Sequence, residues 1–226
     1  MKQLSLKKSR TLNVLENVMK SYIIHFIRHG AIDETLAGKY IGTTDVHLSD
    51  KGRMALRKLD YESKYPGAQA VFTSPLKRCL ETCKILYPEH NPISIPNLSE
   101  CNFGEWEGKT AEELKNDPDF EKWLAGDNEV KPPRGESNAD FVRRICLMFE
   151  SIVEGLIKTG TTESVIVTHG GVIMTLLAVY GVPQAKPFEW TMDNGFGYSL
   201  RVTPMLWQRD KVCEVFQTIP LPKEED

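Results

Sequence analysis

The chain has 226 residues, of which 41% are hydrophobic and 26% are charged, and its formal net charge is −3. This composition is typical of a globular protein with one sizeable core, and no Pro-, Gly- or Ser-rich linker divides the chain. The small negative charge excludes the broad basic field with which proteins neutralise nucleic-acid phosphates. No apolar stretch has the length of a membrane span or of a signal-peptide core. We therefore expect a cytoplasmic protein with no nucleic-acid or membrane partner.

The N-terminal segment differs from the rest of the chain. Residues 1–20 carry five basic residues among leucine and valine side chains, a pattern that fits either a short amphipathic helix or a disordered arm. We expect an N-terminal extension over residues 1–20 and one folded domain over residues 21–226. A protein that binds nucleic acid or a membrane surface through this arm is a competing class. Its binding would be salt-sensitive and would disappear when the arm is removed.

The first apolar run ends in a cation, an imidazole and a glycine. Tyr22–Ile27 is rich in aromatic and β-branched residues and predicts a buried strand. Ligands of open α/β sheets bind where such strands end. At that edge His29 could attack a phosphorus atom while the planar fork of Arg28 holds the phosphoryl oxygens. Gly30 lets the backbone turn close to the anion.

A second short apolar run leads into a helix that carries another arginine. Within Phe72–Arg78, Ser74 is the expected N-cap and Pro75 the first helical residue. Arg78 then lies one turn into the helix, near a positive end that favours anions. The segment predicts a second cation at the same edge of the sheet.

The cysteines and histidines predict no metal site. The five cysteines are odd in number, and Cys79 and Cys83, one helical turn apart, fall at positions that should be buried. Reduced thiols are the expected state. His25 and His29 share one face of the predicted strand but stand about 13 Å apart at ~3.3 Å per residue, too far to share an ion. His25 is therefore expected to be a core histidine with a hydrogen-bond partner.

The segment Leu98–Gly108, called the acid loop below, is rich in acidic residues and glycines. A carboxyl group near a bound anion has its pKa raised by that negative charge and becomes a usable proton donor near neutral pH. Glu100, Glu105 and Glu107 all satisfy this condition. The residues alone leave the choice among the three open.

The second half of the chain repeats the strand-to-helix corner. Val165–Thr168 predicts a third strand that ends in His169, and Gly170 opens an apolar helix that runs to Tyr180. Further helices are predicted at 50–65 and at 141–156, the latter capped near Ser137 or Asn138, and late strands at 195–202 and 212–218. Strands that alternate with helices predict a three-layer α/β/α sandwich with a mainly parallel central sheet.

Together these segments resemble the histidine phosphatase superfamily, the phosphoglycerate-mutase-like fold, from about Tyr22 to about Trp207. The family's nucleophile motif matches Phe26–Gly30, its Gly-x-x-Asp-x-x-Leu-Ser-x-x-Gly motif matches Gly42–Gly52, and its second-arginine motif matches Ser74–Arg78. The acid loop and the second histidine fit as well. The spacing is most similar to that of the compact, α-ribazole-phosphatase-like members.

The resemblance implies a role for each matching residue. His29 would become phosphohistidine, and Glu100 would be the proton donor. The implied catalytic residues are His29, Glu100, His169, Arg28 and Arg78, and the implied substrate-binding residues are Arg28, Thr35, Ile41, Gly42, Arg78 and Gly170. No metal ion or other cofactor is implied.

The chain departs from the family pattern beside the nucleophile. The family usually has threonine where Ile32 stands, asparagine where Thr35 stands, and a small or amide residue where Ile41 stands. A threonine hydroxyl can still donate a hydrogen bond to phosphate, whereas an isoleucine side chain cannot. We expect an apolar pocket mouth, weaker phosphate binding, and a preference for substrates with a bulky or apolar group beside the ester.

The resemblance implies an enzyme, namely a phosphomonoester hydrolase that acts on a small organic phosphate through a metal-independent phosphohistidine route. The alternatives are a cofactor-dependent phosphoglycerate mutase and a catalytically weak binding module of the same fold. The family's mutases carry a long insertion after the acid loop, whereas only about thirty residues, 109–138, follow that loop here. Retained His29, Glu100 and His169 argue against a binding module. The sequence leaves a homodimer open.

Overall fold

A seven-stranded sheet forms the centre of the structure, a computed structural model that describes residues 20–127 and 129–223. Its strands are β1 (Tyr22–Arg28), β3 (Ala70–Thr73), β4 (Ile93–Ser94), β5 (Glu163–Thr168), β6 (Gly181–Val182), β7 (Gly197–Val202) and β8 (Cys213–Ile219). They lie in the order β4-β3-β5-β1-β7-β8-β6, and β7 alone among them runs against its neighbours. The predicted mainly parallel sheet is confirmed. A separate ribbon pairs β2 (Ser63–Lys64) with β9 (Leu221–Pro222).

Helices cover both faces of this sheet. The described residues form α1 (Asp50–Glu62), α2 (Lys77–Leu86), α3 (Ala111–Leu114), α4 (Pro118–Leu124), α5 (Asn138–Thr159), α6 (Gly170–Tyr180) and α7 (Pro204–Asp210). Residues of α5, α6 and α7 pack against one face of the sheet, to which β1 contributes Ile24 and Phe26. Residues of α1 and α2 pack against the other face, to which β1 contributes Ile27. This is the predicted three-layer sandwich.

Strands β1 and β5 bring two histidines to one edge of the sheet. The strands pair in parallel with Arg28 opposite Thr168, so the residues that follow them are neighbours. The backbone N–H of His29 donates to the carbonyl of Thr168 at 2.9 Å. His169 then serves as the N-cap residue of α6. The parallel pairing of β1 with β5 therefore places His29 beside His169.

Two predicted helix bounds are wrong. Helix α1 ends at Glu62 rather than at residue 65, because Ser63 and Lys64 pair with β9. Helix α2 begins at Lys77 with Leu76 as its N-cap residue, not with Ser74 and Pro75. The Ser74 hydroxyl lies 2.9 Å from Nε2 of His169, a tertiary contact that outweighs its local capping tendency. The predicted cap of α5 is confirmed at Ser137, whose hydroxyl accepts from the N–H of Asp140.

The remaining expectations concern isolated side chains and the N-terminus. His25 is buried and hydrogen-bonded to Ser199 at 2.8 Å, as predicted for a core histidine. Cys79 and Cys83 are buried free thiols, also as predicted. The proposed extension over residues 1–20 lies outside the described residues except for Lys20. Among the described helices, none has the length and apolar character needed to cross a membrane.

Candidate active site

A cavity of about 560 Å³ opens at the edge of the sheet where β1 ends. Arg28, His29, Arg78, Glu100 and Gly170 all line it. These side chains come from segments spread over more than half of the chain. With Ile41, which also lines the cavity, the structure therefore brings six of the predicted site residues to one place.

His29 presents a neutral imidazole with a defined tautomer. Its Nδ1 lies 2.7 Å from the carbonyl oxygen of Gly30. Because a carbonyl can only accept, Nδ1 carries the proton and the lone pair belongs to Nε2. Burial, followed by the positive charge of Arg78, lowers the pKa of His29 to about 3, although the Gly30 hydrogen bond opposes this shift. The ring is therefore an unprotonated potential nucleophile at neutral pH.

Arg78 is a buried cation held by main-chain carbonyls. Its two terminal nitrogens donate to the carbonyls of Thr44 at 2.8 Å and Gly42 at 2.6 Å. Its Nε donates to Nδ1 of His169 at 3.3 Å. Three of the five guanidinium N–H groups are used in this way, and two remain for an anion in the cavity. Position 42 requires a glycine, since a Cβ atom there would lie 1.8 Å from the carbonyl oxygen of Cys101.

His169 lies behind the cavity wall. Its ring centroid is 5.2 Å from that of His29, and the residue is fully buried. Since Nδ1 accepts from Arg78, Nε2 carries the proton and donates to the Ser74 hydroxyl. Burial, followed by the charges of His29 and Arg78, holds the pKa of His169 well below its usual value. In this arrangement His169 orients Arg78 rather than facing the cavity directly.

Arg28 is the second cation at the cavity. One terminal nitrogen donates to the carbonyl of Met192 at 2.8 Å, which fixes the direction of the guanidinium group. Asn194, also in the cavity wall, donates its side-chain amide to the carbonyl of His29 at 2.8 Å. The segment before β7 thus holds Arg28 and His29 through Met192 and Asn194.

Glu100 is a carboxyl group held at the cavity wall by two backbone donors. The N–H of Gly171 donates to Oε2 at 2.9 Å and the N–H of Cys101 to Oε1 at 3.1 Å. Burial raises the pKa of Glu100, against the lowering effects of these two hydrogen bonds and of Arg78 and Arg28. A Cβ atom at position 171 would lie 2.5 Å from Oε1, so a larger residue there would push the carboxyl out of this position.

The other two glutamates of the loop have different partners. Glu107 accepts from the backbone N–H groups of Gly42 and Thr43 and from the hydroxyl of Thr44, so it fastens the loop that binds Arg78. Glu105 pairs with Arg134 at 2.9 Å. Among the three acids of this loop, Glu100 lines the cavity. The geometry favours Glu100 as the proton donor.

Arg144 of α5 holds the acid loop from outside. Its guanidinium group donates to the carbonyls of Asn97 at 2.9 Å, Ser99 at 3.0 Å and Glu100 at 3.3 Å. Glu136 pairs with the same guanidinium group at 2.6 Å. The ion pair and the three carbonyls fix the backbone from which Glu100 projects.

The mouth of the cavity is partly apolar. Ile32, Leu36, Ile41 and Met174 line the cavity, but so do the charged residues Asp33, Glu34 and Lys39, and the expected apolar mouth stays a prediction. The Thr35 hydroxyl donates to the carboxylate of Asp33 at 2.6 Å, and Thr35 is exposed on the short 3₁₀ turn Glu34–Leu36 rather than lining the cavity. A role for Thr35 in phosphate binding stays a prediction.

Sequence reasoning missed several residues that support this site. Ser74, Asn194 and Arg144 act through hydrogen bonds to partners that are 44 to 165 positions away in the chain. No local pattern marks such pairs. Ser74 does stand in the matched motif Ser74–Arg78, but local capping rules assigned it to the helix rather than to a contact with His169.

Known proteins resemble this chain over most of its length. The sequence model of the histidine phosphatase superfamily (branch 1) matches residues 24–214. An adenosylcobalamin/alpha-ribazole phosphatase from Salmonella typhimurium is 25% identical over 202 residues, which cover 85% of this chain and 92% of that protein. Phosphoserine phosphatase 1 from Hydrogenobacter thermophilus is 27% identical over 174 residues, which cover 74% and 81% respectively.

A solved structure shows the same fold. The crystal structure of a phosphoglycerate mutase from Bacillus anthracis superposes with a TM-score of 0.72 at 20% identity, covering 89% of this chain and 94% of that chain. The family match spans most of the chain and includes both histidines, both arginines and the acid loop. The chain therefore belongs to the histidine phosphatase superfamily.

Proposed function

We propose that this protein is an enzyme that hydrolyses small organic phosphomonoesters through a phosphohistidine intermediate, without a metal ion. The observation that carries the proposal is the convergence of a neutral histidine, two arginines and a carboxyl group on one cavity. The arginines supply positive charge where phosphoryl oxygens would lie, and Glu100 supplies a proton where a leaving oxygen would lie.

In the first step, Nε2 of His29 attacks phosphorus. The N–P bond forms as the bond from phosphorus to the ester oxygen breaks, and Glu100 transfers its proton to that oxygen, so the alcohol leaves neutral. Arg28 and Arg78 bind the non-bridging oxygens throughout. The Gly30 carbonyl accepts from Nδ1 and stabilises the positive ring that forms on phosphorylation.

In the second step, water attacks the phosphohistidine. Glu100, now a carboxylate, takes a proton from the water, the N–P bond breaks and inorganic phosphate is released. Glu100 thereby regains its proton and His29 its lone pair. His169 contributes from behind the cavity by orienting Arg78.

The test of this proposal is the hydrolysis of p-nitrophenyl phosphate with a metal chelator present. We expect activity in the wild type and its loss in His29→Ala, because no other cavity residue has an unprotonated imidazole. His47→Ala is the matched control, since His47 is exposed and lies outside the cavity. Full activity in His29→Ala, or strict dependence on an added divalent ion, would contradict the proposal.

A catalytically weak binding module is the second candidate. It predicts that the purified protein binds phosphate but forms no labelled protein when mixed with a radiolabelled phosphoester. A single-turnover experiment with an alkaline quench distinguishes the two, because the proposed route requires transient phosphate on His29 and the N–P bond of phosphohistidine survives alkali but not acid.

A further inference from the structure

Segment 42–45, which opens the Gly-x-x-Asp-x-x-Leu-Ser-x-x-Gly motif, holds the guanidinium group of Arg78. The carbonyls of Gly42 and Thr44 accept from its two terminal nitrogens at 2.6 and 2.8 Å. Arg78 is buried, so these acceptors decide which of its N–H groups remain for an anion. The direction in which Arg78 faces the cavity therefore depends on where the two carbonyls lie.

The same segment also holds the backbone from which Arg78 projects. Oδ1 of Asp45 accepts at 2.7 Å from the backbone N–H of Lys77, the first residue of α2. The first N–H groups of a helix have no partner within the helix, and the N-cap residue Leu76 offers them no side-chain acceptor. Asp45 supplies an acceptor from 32 positions earlier in the chain.

One carboxylate holds segment 42–45 in turn. Glu107 accepts from the three consecutive backbone N–H groups of residues 42, 43 and 44 at 3.0, 2.9 and 3.3 Å. It also accepts from the Thr44 hydroxyl at 2.6 Å. Glu107 thereby fixes the orientation of successive peptide groups in the segment.

A single peptide group links Glu107 to Arg78. The N–H of Thr43 and the carbonyl of Gly42 belong to one planar unit, and in a trans peptide they point in opposite directions. The N–H donates to the carboxylate of Glu107, and the carbonyl accepts from the guanidinium group of Arg78. An anion and a cation therefore lie at the two ends of one peptide dipole, which strengthens both hydrogen bonds.

We propose that Glu107 is a positioning residue for phosphoryl binding, and that it acts on Arg78 through the peptide group between Gly42 and Thr43. Without the carboxylate this peptide group is free to rotate, and Arg78 loses the acceptor that directs it. Its two free N–H groups then no longer converge on the anion. The inference rests on the proposed function, because the anion that Arg78 binds is taken to be the phosphoryl group.

Binding of tungstate, a tetrahedral oxyanion like phosphate, tests this role without turnover. In calorimetry we expect Glu107→Gln to bind tungstate about tenfold more weakly than the wild type, in line with the loss of one charge-assisted hydrogen bond. Glu105→Gln is the matched control, because Glu105 lies in the same loop and pairs with Arg134. Wild-type affinity in Glu107→Gln, or no tungstate binding by the wild type, would overturn the proposal.

A double-mutant cycle shows whether the effect passes through Arg78. Arg78→Met removes the guanidinium group and keeps an unbranched side chain, and Arg28 supplies the tungstate binding that remains. In this background Glu107→Gln should weaken tungstate binding no further. A general structural role predicts the same loss in both backgrounds, and that result would contradict the proposal.

A second variant covers the case in which Glu107→Gln fails to fold. Thr44→Val keeps the main chain and removes the hydroxyl that donates to Glu107, and Thr44 is exposed, so the core is untouched. We expect tungstate affinity to fall roughly threefold in the wild-type background and to stay constant in Arg78→Met. Unchanged affinity in every folded variant of Thr44 and Glu107 would contradict the positioning role.

Hydrolysis separates this inference from the proposed function. Glu107→Gln should lower kcat/KM by the same factor for an alkyl phosphate and for p-nitrophenyl phosphate, because both present the same phosphoryl oxygens to Arg78. If the wild type hydrolyses neither ester and the tungstate pattern holds, the hydrolase proposal fails and the positioning role stands. If both esters are hydrolysed and Glu107→Gln keeps wild-type tungstate affinity, the positioning role fails and the hydrolase stands.

Discussion

Glu100 is held by two backbone hydrogen bonds and its pKa is raised by burial, so the effect of replacing it on the rate of hydrolysis can be predicted. We expect Glu100→Gln to slow hydrolysis of an alkyl phosphate on the order of 10²-fold, since an alkoxide needs a proton to leave. The loss for p-nitrophenyl phosphate should be much smaller, because nitrophenolate leaves without one. Steady-state kinetics with both substrates measure the difference. Glu105→Gln is the control, and equal losses on both substrates in Glu100→Gln would contradict the assigned role.

The pKa shifts of His29 and Glu100 predict the pH profile. His29 must be neutral to attack, and its pKa is lowered to about 3, so activity should persist well below the ordinary histidine range. Glu100 must be protonated to donate, and burial raises its pKa, so activity should fall only above the ordinary carboxyl range. The measurement is kcat/KM for one alkyl phosphate as a function of pH, in the wild type and in Glu100→Gln. Ionisation of the substrate affects both proteins equally, so it cancels in the ratio of the wild-type value to the Glu100→Gln value.

We expect that ratio to be high at acidic pH and to decline as Glu100 loses its proton. A ratio that does not change with pH would contradict the role of Glu100. Loss of wild-type activity between about pH 6.5 and 5.5, where an unperturbed imidazole becomes protonated, would contradict the neutral state of His29.

The acid loop and helix α5 act together at the scale of elements. Arg144 binds the carbonyls of Ser99 and Glu100 in the loop and of Asn97 just before it, so Arg144→Met should displace Glu100 without removing it. We expect a loss of roughly tenfold on alkyl phosphates and a smaller loss on p-nitrophenyl phosphate, because misplaced catalytic groups lower the rate steeply. Arg143→Met is the matched control, since its side chain is 74% exposed on the same helix.

Leaving-group dependence distinguishes positioning from stability. A purely structural role for Arg144 predicts a lower melting temperature and equal losses on both substrates. Arg144→Lys should recover part of the activity on alkyl phosphates, because the lysine retains the charge opposite Glu136.

Elements that end at the site were the best predicted from sequence. The apolar runs before His29 and His169 are short and β-branched, so both strands and the edge where they meet follow from the pattern. The start of α2 was not predictable from local rules, because Ser74 satisfies His169 instead of the helix. The contact with His169, the N-cap residue of α6, outweighs the local capping propensity of Ser74.

The whole molecule supports hydrolysis over phosphoryl transfer between sugar phosphates. The segment between the acid loop and α5 forms the two short helices α3 and α4, and the cavity above His29 stays open toward the mouth. Water should therefore reach the phosphohistidine. We expect phosphate release from 3-phosphoglycerate to exceed its conversion to the 2-isomer, as measured by phosphorus NMR. Efficient interconversion with little phosphate release would instead support a mutase.

At the scale of the whole molecule, the sequence predicts the architecture but not the residues that hold the site residues in place. Alternating strands and helices, together with the family motifs, lead to the three-layer sandwich and to the residues that converge on the cavity. Arg144 and Asn194 were not predicted, because each reaches its partner through tertiary packing rather than through sequence spacing. The position of His169 behind Arg78, rather than in the cavity wall, likewise depends on side-chain packing.

The central position of β1 has a consequence for how the protein folds. The strand that leads to His29 pairs on one side with β5 and on the other with β7, both of which follow it by more than a hundred residues. During synthesis β1 has no strand partner until most of the domain has been made. Pairing between strands so far apart in the chain is also slow to form. Assembly of the catalytic edge therefore comes late, and the appearance of activity on a translating or refolding chain reports that the whole sheet has closed.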